Sequence, residues 1–104
     1  MLLNSSLPNL SRELTALLAD AGEPDLAAQI ESLEIVQRCP CNDDFCASFY
    51  TAPRPVGAYG PGHRNVELEP EKGMIILDVV DERIVKIEIL YRDEIRAQLS
   101  SLLP

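Results

Sequence analysis

The segment Gly73–Leu90, GMIILDVVDERIVKIEIL, restricts the fold more than any other part of this chain. Two runs rich in β-branched residues flank one short polar break, which is the pattern of a β-hairpin. One face of the pair is uniformly apolar only if Val79 lies opposite Val85, Leu77 opposite Ile87 and Ile75 opposite Ile89, which sets Asp78 across from Lys86. A two-residue turn at Asp81 and Glu82 would set Leu77 against Lys86 and Asp78 against Val85, burying charge. The pattern therefore predicts a loop of three residues, Asp81 to Arg83, with Arg83 in a left-handed backbone, or a loop of five. The opposite face mixes Met74, Ile76, Val80, Ile84 and Leu90 with Asp78, Lys86 and Glu88, and part of it is expected to be covered.

Around the hairpin the apolar spacing changes period. Leu10, Leu14, Leu17 and Leu18 recur at helical intervals, with Ser5 and Ser6 as cap candidates and Pro8 in the first turn. Gly22 is placed to stop that helix, and Pro24 to start another through Leu26, Ala27, Ile30 and Leu33. Helix gives way to strand near Leu33–Gln37, and Cys39-Pro40-Cys41-Asn42-Asp43-Asp44 continues neither element. A strand at Cys46–Thr51 follows. Three prolines and three glycines then make 52–63 the longest irregular stretch. Arg64–Glu69 alternates as a strand with Val66 and Leu68 on one side, and a last helix near Asp93 carries Ile95, Leu99 and Leu102. The connections are too short for crossovers. The expectation is one α+β domain over 1–104: a helical pair at 1–33, an antiparallel four- to five-stranded sheet at 34–90 and a helix at 91–104, with helices on one sheet face.

Residues 44–90 resemble the DUF2283-type small bacterial domains. Their strand pair reads as a Gly, an apolar run ending in Asp, a turn, then Arg-Ile-Val, one residue and Ile-Glu-Ile-Leu. Here these are Gly73, Ile75 to Asp78, Arg83 to Val85 and Ile87 to Leu90, and DFCASFY at Asp44–Tyr50 is similar to the family's earlier Asp-x-Leu-Tyr strand. The resemblance implies a fold and a bacterial type of protein, with no site to transfer. The turn lacks the family's Gly before Arg83, and the family pattern includes neither the helical amino terminus nor the three cysteines.

A net charge of -8 on 104 residues argues against nucleic-acid backbones and anionic lipid surfaces, each of which would repel the chain before contact. A basic protein is the electrostatically easy partner, as it would be for an antitoxin or immunity-like protein. The amino terminus has no cationic start and no long apolar stretch, and nothing reaches the ~20 apolar residues of a membrane span. A cytoplasmic protein is expected, and an odd number of cysteines suits a reducing compartment. The mixed sheet face leaves room for a second copy in a homodimer.

The constellation with most chemistry in it is Cys39, Cys41 and Cys46, with His63 the only histidine. Three thiolates and an imidazole match a Cys3His zinc shell in ligand identity, although structural zinc sites favour Cys-x2-Cys over Cys-x-Cys. The plainer reading makes Cys46 a small hydrophobe on a strand and leaves Cys39 and Cys41 as free thiols. A redox dithiol is the third, opposed by Asp43 and Asp44, whose charges raise a neighbouring thiol's pKa. Arg54, Tyr59, His63 and Arg64, in and beside the Gly/Pro loop, are candidates for a binding surface. No catalytic residue is assigned, because no nucleophile, base and oxyanion donors come together by spacing. The reading is a non-enzymatic binding or interaction module without a cofactor and with a protein partner, and the alternative is a zinc-binding or thiol-redox protein.

Overall fold

The computed structural model describes residues 1–41 and 43–104, so Asn42, in the expected break between strands, lies outside the described residues. Among the described residues, four α-helices and a five-stranded antiparallel sheet make an α+β fold: α1 Leu3–Ser6, α2 Pro8–Asp20, α3 Pro24–Gln29, β1 Gln37–Arg38, β2 Phe49–Tyr50, β3 His63–Leu68, β4 Met74–Val80, β5 Arg83–Leu90 and α4 Asp93–Leu102. The strand order is β1-β2-β5-β4-β3. Ile75, Leu77, Val79, Ile84, Ile87 and Ile89 form the centre of the inner sheet face. The helices cover that face, so Leu10, Leu14 and Leu18 of α2, Leu26 of α3, and Ile95 and Leu99 of α4 join the strands in one buried cluster.

The helical start is more divided than its apolar spacing indicates. Leu3–Ser6 forms a helical turn of its own, so Ser5 and Ser6 lie inside α1, and Leu7 occupies the cap position of α2 without a side-chain hydrogen bond. Gly22 ends α2 with a left-handed backbone (φ 75°), and Pro24 opens α3, which tightens into a 3-10 turn at Ile30–Ser32. The backbone of Met1 and Leu3 then pairs with Ile35 and Leu33 at 2.7 and 2.9 Å, tying the amino terminus to the approach of β1.

Three of the four expected hairpin pairs are present, and the fourth, with the loop, needs correction. Ile75↔Ile89, Leu77↔Ile87 and Asp78↔Lys86 are paired, but Val79 faces Ile84 and Val80 faces Arg83. The loop is therefore the two residues Asp81 and Glu82, both left-handed at φ 50° and 64°, as a type I′ turn requires, and Arg83 is a strand residue. Val85 is an extra residue on β5, a β-bulge. It restores the apolar register below the turn without burying charge, and it turns Ile84, expected on the outer face, inward to 3% exposure. The freed Val85 carbonyl accepts from Thr51 N at 2.9 Å.

The turn is held from outside. Gln29 donates to the Glu82 carbonyl at 2.7 Å and accepts from Ile84 N at 3.0 Å, while Asp81 N donates to the Gly62 carbonyl at 3.1 Å. Gly62 has a left-handed backbone (φ 85°) and a Cβ there would stand 2.2 Å from the Asp81 carboxylate, so another residue would be strained and would have to displace that side chain.

Candidate functional site

Strand alternation builds the thiol cluster. Phe49 and Ala47 point into the core, which sends Ser48 and Cys46 to the outer face, where Cys46 bridges Leu90 of β5. Cys39 continues β1, its N–H donating to the Ser48 carbonyl at 3.0 Å, and Cys46 N closes the intervening turn on the Asp43 carbonyl at 3.3 Å. The outcome is that the sulfurs of Cys39, Cys41 and Cys46 all lie within 4.8 Å of one another, with Cys41 exposed and the other two half-buried.

Their protonation differs. The Cys41 thiol is pushed up to about 11 by donating its hydrogen to Cys46 and then by burial. Burial works to raise Cys46 as well, but hydrogen bonds from Ser48, Cys41 and Cys39 outweigh it and leave this thiol below its ordinary value. Asp43 acts on Cys41 through its backbone hydrogen bond, which lowers the pKa, rather than through the carboxylate repulsion expected. Lys86 supplies positive charge beside the cluster: burial opposes it, but Glu88, Tyr50, Cys39 and Asp78 together raise its pKa.

His63 stands apart from this group. Its Nε2 lies 2.8 Å from the buried Asp78 carboxylate, which also accepts from Asn65 Nδ2 at 2.7 Å, so the sole histidine serves a polar row on the outer face. That row crosses all five strands as Gln37, Tyr50, Lys86, Asp78 and Asn65, with the Lys86 ammonium 5.1 Å from the Tyr50 ring centre. Tyr59 folds back so that its ring centre is 4.8 Å from that of His63, and burial first, then Asp78, raises its phenol to about 12. The loop candidates are thus separated. Arg64 points to the helix side, bound to Glu23 and Glu82 at 2.8–2.9 Å, and Arg54 is exposed.

Two features had no clear signal in the residues. Arg92, only 9% exposed, binds Glu13 through two 2.8 Å hydrogen bonds, Glu94 through one, and the Lys72 carbonyl at 3.3 Å, joining α4 to α2 and to the β3–β4 turn. Phe45 and Tyr91 stack at 5.3 Å over the end of β5, with Tyr91 left-handed at φ 62°. No helix among the described residues is long and apolar enough to cross a membrane. No protein-family model, curated protein or solved structure matches the chain.

Proposed function

We propose that the chain is a small non-enzymatic binding domain whose ligand is a soft metal ion, zinc in the first instance, held by the thiolates of Cys39, Cys41 and Cys46. The observation that carries this reading is the mutual approach of the three sulfurs within 4.8 Å. Tetrahedral zinc with bonds of ~2.3 Å holds its sulfurs roughly 3.8 Å apart, so a contraction of about 1 Å or less at each pair brings all three sulfurs to one ion. The donor set is thiolate alone, which favours soft or borderline cations over calcium and magnesium. A fourth position stays open to water or an outside ligand, because His63 is committed to Asp78.

A cation would change the protonation of the cluster. Cys41, held near 11 without one, must lose its proton to bind, so loading releases protons and strengthens as pH rises. The chemistry suits a reducing compartment such as the cytoplasm, where thiols stay free to bind. The buried cluster spanning sheet and helices supplies stability without metal, which separates this domain from those that fold only on zinc.

Native mass spectrometry of protein purified without added zinc and then titrated with it tests the reading. One ion per chain is expected, with loss of binding in Cys41→Ser and a melting temperature of the metal-free variant close to that of the metal-free parent. Absence of a stoichiometric ion, or equal retention in Cys41→Ser, would reject it.

A further inference from the structure

A second site adjoins the thiols on the helix side of the sheet edge. A cleft of about 590 Å³ lies between β1 and α4, lined by Gln37, Arg38, Cys39, Cys41, Arg96 and Ser100 among others. Its volume falls in the range of small-molecule sites, ~300–1,000 Å³. In a chain with 17 acidic residues, no Asp or Glu side chain among the described residues lines it, whereas four other surface clefts each include at least one.

Its two arginines are also unneutralised. Arg64 and Arg92 are each gripped by two carboxylates, but among the described residues neither Arg38 nor Arg96 enters an ion pair. Among the described residues Arg38 has only the Leu103 carbonyl, at a long 3.4 Å. Arg96 Nε is buried with no hydrogen-bond partner among the described residues. A buried donor left unmade carries a real penalty, and a planar guanidinium matches the paired oxygens of a carboxylate or phosphate. Gln37 from β1 and Ser100 from α4 add neutral donors to the lining.

We propose that this cleft binds a small oxyanion, a phosphate- or carboxylate-bearing molecule of metabolite size, through Arg38 and Arg96. The anion would lie beside Cys39 and Cys41, yet its binding requires no metal. The two sources of the oxyanion share the guanidinium chemistry and are separated by the probe.

The test is calorimetric titration of the full chain, freed of metal by resin rather than by a polyanionic chelator, with inorganic phosphate and separately with citrate. Saturable one-to-one binding of at least one probe is expected, weakened roughly tenfold or more in Arg96→Gln and in Arg38→Gln. Arg12→Gln, on the exposed side of α2, should bind as the parent does. Amide shifts on titration should gather at Gln37, Arg38, Arg96 and Ser100, which locates the site even if one variant folds poorly. Failure of both probes to saturate, shifts centred elsewhere, or affinity equal to the parent's in either arginine variant would overturn the proposal. Because the protein is metal-free throughout, none of these results depends on zinc binding.

Discussion

Three cysteines within seven or eight positions of one another have become chemically unequal through their neighbours. Cys46 accepts hydrogen bonds and has a lowered pKa, while Cys41 donates one and rises to about 11. A lower thiol pKa means more thiolate at neutral pH, and the thiolate is the nucleophile. Alkylation of the metal-free protein with iodoacetamide near pH 7.5, followed by peptide mass spectrometry, should therefore modify Cys46 ahead of Cys41, despite the greater exposure of Cys41. Raising the pH towards 11 should close that gap, and saturating zinc should protect all three. The grouping was legible in the residues as a candidate ligand set, since Cys39 and Cys41 stand close in the chain and Cys46 was placed on the returning strand. The place of His63 was not, because the Gly/Pro stretch before it gives no information on where the ring ends up.

At the scale of elements, the turn between β4 and β5 depends on a side chain from α3. Gln29 serves both the Glu82 carbonyl and Ile84 N, groups that the bulge and the left-handed turn leave without ladder partners. Gln29→Ala should lower stability in urea denaturation by about 1–2 kcal/mol, the worth of two such hydrogen bonds in a partly open site, with the slope against denaturant unchanged. A value near zero would mean that water replaces the side chain fully. Apolar periodicity identified α2, α3, α4 and the β3–β5 strands, because burial selects residue type at fixed intervals. The bulge left no such mark. Val85 is as good a strand former as its neighbours, and the choice between a three-residue loop and a two-residue turn with an extra residue lies in backbone geometry. Arg92 was equally silent, since its partner Glu13 is 79 positions away.

Across the whole molecule, acidic residues outnumber basic ones, and two of the arginines, Arg64 and Arg92, hold segments together through carboxylates. Arg64 joins the α2–α3 connection at Glu23 to the hairpin turn at Glu82, and its hydrogen bonds hold both carboxyls below their ordinary value of 4.5. Glu94, which burial alone would raise, is likewise lowered by Arg92. A carboxyl whose pKa is depressed on folding contributes stability that is complete above its unfolded value and is lost as pH falls through the folded one. Melting temperature should thus hold between pH 7 and 5 and drop below about 4.5. Relief of the net negative charge opposes that drop, so the Arg64 contribution is measured as a difference: Arg64→Gln should melt lower than the parent at neutral pH and converge with it in acid, followed by circular dichroism. Parallel curves over the whole range would show that these contacts carry no linked stability.

The bulge in β5 also bears on how this chain tolerates changes in length. Removing Val85 would leave Val79 facing Ile84 and Asp78 facing Lys86, at the expense of the hydrogen bond to Thr51. Removing Ile87 while keeping the pairs beyond it would bring Lys86 opposite Leu77 and drive an ammonium into the core. The strand therefore contains one expendable residue, and single deletions that would elsewhere turn a sheet inside out have a harmless place to fall.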